Sequence, residues 1–416
     1  MSEHAEQMPS RQSFWDTLVE AMTPPAAASL KPETSLRIRV ARPLCIFFMV
    51  FVHVNPGVAS FDPQTHGLHL ADWYRFFLAD GIGRTSIGLL AIVSGFLAIS
   101  TARVFPFSPF VMKRVRSLFI PMVAWSAVLL LAYLAGEQVR PGYLESQLGH
   151  AFGWQHVPNW LFGLTAHPAN FPLGFLRDLF ICAVLTPVFV LAMRKAAFPV
   201  LAILFVLMVT HAPSPFLGNN IPMFYALGIW LALNEKSLEG FMDRHAGKVI
   251  AVFVTYAALI TAFRFYTVDH PEHDWLPVFY GFMEVQRLFG AAAFWAIAGW
   301  ISRQNWKSLI TRFEPYAFFV FCSHIILSTI FWIPFQYLVG GYYHPLYPLF
   351  FTLVPPIVFL CAVLAALFLG RYFGPVSTVF NGGRALPRNG LKDLLRSPID
   401  KPRKPEEPVG SKSVFN

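Results

Sequence analysis

RPLCIFFMVFVHV, residues 42–54, decides how this chain is read. It is the first long apolar run, and it carries two ionisable side chains, Arg42 and His53, where a bilayer makes both expensive. Their eleven-residue spacing is about three helical turns, so they lie on one helix face about 16 Å apart along the axis. One stripe of one helix therefore joins a membrane's edge to its interior.

The rest of the chain has the same solvent. Hydrophobic residues make up 55% of the 416, charged residues only 13%, and the mean hydropathy is +0.51, which together describe a polytopic membrane protein. The net charge of +9 does not indicate nucleic acid, because the basic residues cluster in short connections between apolar runs. Cys45, Cys182, Cys322 and Cys361 all fall inside apolar segments, without a CxxC pair or a His at zinc spacing. Neither a disulfide framework nor a metal site is expected.

Residues 1–36 are polar and punctuated by Pro and Ala, and read as a mostly flexible cytoplasmic segment. Within them Phe14, Trp15, Leu18, Val19 and Met22 have the spacing of a short surface helix. Residues 374–416 are rich in Pro, Lys, Arg and Gly and are expected to form a disordered basic tail, with no soluble domain appended. The domain between, 37–373, holds ten candidate spans, near 40–58, 82–100, 117–135, 172–192, 197–212, 221–234, 249–267, 282–302, 316–339 and 346–373. The fold class is thus all-α, an integral membrane helix bundle of about ten transmembrane helices.

Charge alternation sets its orientation, since cytoplasmic loops retain Lys and Arg. Arg37 and Arg39 precede the first span, Arg103 follows the second, Arg194 and Lys195 the fourth, Arg303, Lys307 and Arg312 the eighth, and Arg371 and Arg384 the last. Asp62, Asp72 and Asp80, then Asp269, Glu272 and Asp274, mark the opposite side. Both termini are expected in the cytoplasm. Intramembrane polar residues then sort by depth. An inner group holds Arg42, Ser94, Lys113, Arg114, Arg116 and His324; an outer group holds His53, Arg84, Arg177, Asp178, Arg264, Glu284 and Arg287. So many charges point to a shared polar interior. Structural ion pairing is the plain alternative for Arg177 with Asp178 and for Glu284 with Arg287.

Several segments, taken in order, resemble the membrane-bound acyltransferase type 3 family, whose members O-acylate bacterial surface and periplasmic saccharides. RPLCIFFMVFVHV resembles its first-helix signature, and GRTSIGLLAIVSGFL, 83–97, its second, ending in Ser94, Gly95 and Phe96. KRVRSLFIP, 113–121, resembles the basic entry to the third helix. FPLGFLRDLFICAVLTP, 171–187, resembles a middle helix, and FFVFCSHIIL, 318–327, a late helix with one His. Two departures stand out: Lys113 replaces an Arg, and Gly174 stands where Trp is usual, which predicts open space at the outer face.

The resemblance implies an O-acyltransferase of the bacterial cytoplasmic (inner) membrane, with acyl-CoA as cytoplasmic co-substrate, no bound cofactor and a saccharide acceptor on the far side. Acetyl is the expected acyl group. Lys113, Arg114 and Arg116 are candidates for the donor's phosphates, against the plainer role of enforcing topology. His53 is the candidate general base, since imidazole accepts a hydroxyl proton near neutral pH. Arg42 shares its signature and is grouped with it. Ser94 is a candidate acyl carrier, although Ser-Gly in a membrane helix favours close packing, and His324 a secondary donor-side residue. Trp154 and Trp160, in the long outer connection with His150, His156 and His167, form a candidate sugar-stacking surface on the acceptor side. The turn 269–274 reads as a solvated loop rather than a cation site. Completion of the reaction rests with this chain or with a separate extracytoplasmic partner protein. The competing class is a secondary transporter or flippase, disfavoured because no internal repeat is visible.

Overall fold

In the computed structural model, residues 20, 30–54, 66–100, 104, 106–234, 239–270 and 274–387 are described. Among them every regular element is helical. The principal helices are α1 (Pro32–Val52), α2 (Leu70–Ser100), α3 (Phe107–Val139), α4 (Gly174–Val184), α5 (Thr186–Thr210) and α6 (Asn220–Leu233). They are followed by α7 (Ala246–Asp269), α8 (Leu276–Ser302), α9 (Ala317–Leu338), α10 (Tyr347–Tyr372) and a short α11 (Gly374–Phe380).

Among the described residues, six helical segments are long and apolar enough to cross a membrane: α2, α3, α5, α7, α10, and α9 with the turns that lead into it. The first helix is not one of them, because Arg37, Arg39 and Arg42 all lie within it. Span one was expected at 40–58; the helix instead starts at Pro32, whose missing N–H costs nothing in a first turn, and ends before His53. An arginine inside this helix is tolerable because it is satisfied. Arg37 lies over the Trp295 ring at 4.6 Å, donates from Nε to the Trp295 carbonyl at 2.9 Å and pairs with Asp243 at 3.1 Å.

The fourth and fifth expected spans meet at Ala196, where α5 leaves helical geometry (φ −149°, ψ 48°) beside Arg194 and Lys195. The shortest expected span is α6, at 14 residues. It is locked to α2 by two glycines. A Cβ on Gly95 would sit 2.1 Å from the Tyr225 carbonyl oxygen, and one on Gly228 would sit 2.1 Å from that of Ile92. Small residues let two membrane helices approach to backbone contact, where van der Waals packing is the main attraction.

The bundle's outer faces are apolar too. On α10, Leu353, Ile357, Leu360, Leu364 and Phe368 recur every three or four residues and are exposed, while Val354, Val358, Ala362 and Ala366 on the other face are buried. Such a helix, hydrophobic all round, belongs in lipid. Beyond it the packed structure does not stop at 373, where the domain was expected to end. Gly374–Phe380 is helical, Trp125 Nε1 on α3 donates to the Phe380 carbonyl at 3.0 Å, and Leu386 is buried in the core. The expected surface helix at 14–22 and the tail beyond 387 lie outside the described residues, apart from Glu20.

Candidate active site

Helices α1 and α9 run parallel and touch at two levels. At the lower level Arg42 Nη1 meets Glu314 Oε1 at 2.9 Å, in the turn that feeds α9. Eleven residues up α1 and ten up α9, the rings of His53 and His324 pack with centroids 5.1 Å apart. At about 1.5 Å rise per residue the two rungs are separated by about 15 Å. The expectation that His324 and His53 belong to different depth groups is therefore corrected: His324 stands level with His53, because Glu314 at the foot of α9 meets Arg42 and the two histidines lie ten and eleven residues further along parallel helices.

His53 caps α1, with its N–H on the Val50 carbonyl at 3.0 Å, and is half-buried. Phe171 presents its ring at 5.0 Å, so the segment leading into α4 closes one side of the imidazole. His324 is fully buried. Its Nδ1 lies 2.6 Å from the Phe321 carbonyl, a contact in which only the ring can donate. Nε2 is then the lone-pair nitrogen, and it is buried without a hydrogen-bond partner among the described residues. Asn170, also fully buried, donates to the Cys322 carbonyl at 3.1 Å while its Oδ1 is unpartnered. Sequence reading missed Asn170; an Asn directly before the 171–187 signature was its only signal.

Several outer residues form a chain of charge leading away from His53. Arg84 lies within electrostatic reach of both His53 and Arg287, and pairs with Asp80. Arg287 pairs with Glu284 at 3.2 Å, and Glu284 accepts from Asn220 at 3.3 Å with His211 at 4.0 Å. Arg264 lies over the Phe76 and Phe279 rings, at 5.7 and 5.4 Å. Arg177 and Asp178 pair with each other at 2.7 Å. Arg177 ties together the Pro215 and Leu164 carbonyls, and Asp178 accepts from Leu217 and Gly218 N–H, so the pair staples two loops.

Two expectations on this side are corrected. Trp160 is 4% exposed and buried against α3, since the loop folds back over the bundle; only Trp154, 78% exposed, presents a face. The space expected at Gly174 is filled. A Cβ there would meet His167 Nδ1 at 2.8 Å and Leu217 at 3.3 Å. Burial holds that His167 imidazole below its ordinary range, with Asp178 opposing the shift.

The basic run straddles the start of a π-helical turn, Val115–Phe119, within α3: Lys113 and Arg114 end the α-helical stretch before it and Arg116 lies in it. π-Turns break helical register and are common at functional sites. Lys113 and Arg116 are exposed, whereas Arg114 is half-buried over the Phe110 ring at 5.1 Å. Ser94 donates its hydroxyl to the Leu90 carbonyl at 2.7 Å, one turn back on its own helix. Its neighbour Gly95 lies against the Tyr225 backbone of α6.

A multi-pass bundle with an ionic rung, an imidazole pair one rung above it and the five segments quoted earlier in order defines a membrane acyltransferase. The acyltransferase domain family matches residues 36–371, most of the chain, and the protein belongs to that family. It is a transferase of acyl groups other than aminoacyl groups, so the transporter or flippase alternative gives way to an enzyme. The chain is similar to the succinoglycan biosynthesis protein ExoH of Rhizobium meliloti (strain 1021), with 28% identity over 374 residues, covering 88% of this chain and 95% of that protein. No solved structure matches it.

Proposed function

We propose that this enzyme moves an acyl group, acetyl as the expected case, from cytoplasmic acyl-CoA to a saccharide hydroxyl on the far side of the inner membrane. The observation that carries the reading is the parallel α1–α9 pair, with an ionic rung near one face and an imidazole rung about 15 Å beyond it. Ile46, Met49, Ala317 and Val320, between the rungs in sequence, belong to one apolar core cluster, so the two rungs are separated by apolar packing. A relative engaged in biosynthesis of a glycan supports a saccharide acceptor.

In this reading the acceptor hydroxyl gives its proton to His53 as its oxygen attacks the thioester carbonyl. The carbon–sulfur bond breaks, the thiolate leaves, and the proton held by His53 passes to the sulfur. His324, whose ring packs against His53 and whose lone-pair Nε2 has no partner in the resting structure, accepts a hydrogen bond from one nitrogen of His53 in the working complex, which leaves the other nitrogen of His53 basic. Arg42 positions the donor side rather than the reacting atoms. Lys113, Arg114 and Arg116 hold phosphates at the inner mouth, and Arg84, Arg287 and Glu284 line the acceptor approach.

The deciding measurement is thiol release. Purified protein in vesicles supplied with acyl-CoA is expected to liberate free CoA only when a saccharide acceptor is also present. Acceptor-independent release, or none with any glycan, removes the transfer reading.

Orientation has its own test. Parallel helices one and nine support an even number of crossings between their starts, hence ten spans with both termini cytoplasmic. A cysteine at Arg312 is expected to resist an impermeant thiol reagent in intact cells, and one at Asp274 to react. Reversed labelling reverses the donor and acceptor faces.

A further inference from the structure

We infer that the carboxy-terminal strap, residues 381–387, is a working part of the inner anion site and delivers Arg384 to the phosphates of the acyl donor. This rests on the acyl-CoA reading above and extends it to a segment that no signature covers.

The strap is built to lie where it does. Asn381 Nδ2 donates to the Arg384 carbonyl at 3.1 Å, curling the chain into a turn. Gly382 and Gly383 follow at φ +65° and +75°, a left-handed stretch that residues with a Cβ avoid. Gly382 also has no room for a side chain: a Cβ would sit 2.6 Å from the Ser117 carbonyl, in the π-turn that holds Arg116. Leu386 is buried, close against Gly370 of α10. The strap is thus pinned at both ends, to α3 and to α10.

Between these pins Arg384 is exposed, with its guanidinium over the Phe318 ring at 4.5 Å. Phe318 is one turn above Glu314 on α9. Arg384 therefore interacts electrostatically with Arg42, Glu314 and Arg114 together. Two guanidinium groups and one carboxylate thus act on a third guanidinium, and the carboxylate is already paired with Arg42. Like charges gathered at the edge of a low-dielectric bundle repel, and the surplus favours a multiply charged anion. Guanidinium is also the side chain whose planar donors match phosphate. The strap brings the first-helix arginine and the third-helix basic run into one site.

Two plainer roles exist for Arg384: topology, which needs only a positive charge, and a staple on Phe318, which needs only the stacked plane. The full-length protein in lipid nanodiscs, titrated with coenzyme A by calorimetry, separates them from phosphate binding. Arg384→Gln is expected to weaken coenzyme A binding on the order of 10-fold, the scale of one charge-assisted contact. Arg384→Lys is expected to recover part of that loss.

Unchanged affinity in Arg384→Gln, with the parent binding normally, overturns the strap's role and leaves the donor reading intact. A parent protein that does not bind coenzyme A overturns both. Loss of binding that appears only with loss of the cooperative thermal transition assigns Arg384 a purely structural role, which also overturns the inference.

Discussion

His53→Ala is expected to insert and express normally while turnover falls on the order of 100-fold or more, the scale for removing a general base. Insertion is unaffected because His53 caps α1 through its backbone N–H, which any residue retains. His53→Gln keeps a hydrogen-bonding side chain but cannot take a proton, and is expected to be nearly as slow. Turnover of reconstituted protein, measured as free thiol released with acceptor present, reads both variants. Near-normal turnover in the Gln variant would make His53 a hydrogen-bonding residue and move the base elsewhere in the site. His324 is then the next group to substitute, because its unpaired Nε2 is the other lone-pair nitrogen at that level.

The second large effect is on folding. Gly228→Leu is expected to remove most of the properly assembled protein, because even its Cβ meets the Ile92 carbonyl at 2.1 Å and the Phe96 backbone nitrogen at 2.9 Å. These are main-chain atoms of α2 and cannot rotate away. Relief requires α2 and α6 to separate, which forfeits close packing along both, a loss of roughly 1–3 kcal/mol or more for overpacking. Size-exclusion profiles in mild detergent and the thermal transition measure the outcome. Gly240→Leu, at a position with nothing within 4 Å, is the matched control. A sharp, unshifted profile for Gly228→Leu would mean that the two helices do not touch as described.

Much of this architecture was legible from hydropathy alone, because membrane spans announce themselves by composition. The α1 signature was legible for a related reason: an arginine and a histidine in an apolar run stand out. What sequence could not supply is which helix faces which. Glu314 looks like any loop acid until α9 is laid beside α1, and only that pairing shows that His324 stands at the height of His53. Trp160 failed as a surface residue because a loop's path over a bundle has no periodicity to read. Gly174 was read as a gap, but the residue that fills it, His167, lies seven positions upstream in an irregular connection. Composition also concealed the strap. A Gly- and Arg-rich stretch reads as unstructured, and here two left-handed glycines and one leucine seat it against the core.

The two-rung contact also bears on when the enzyme first becomes competent. Arg42 and Glu314 are 272 residues apart in the chain, and the histidines above them are nearly as distant. A nascent polypeptide therefore carries His53 through most of its synthesis without the His324 ring that packs against it. The imidazole pair closes only after the ninth helix has entered the bilayer and found the first, a long-range pairing of the kind that forms slowly. Stalled or truncated products should consequently be inactive, and quality control of the finished protein reduces in large part to whether its two ends have met.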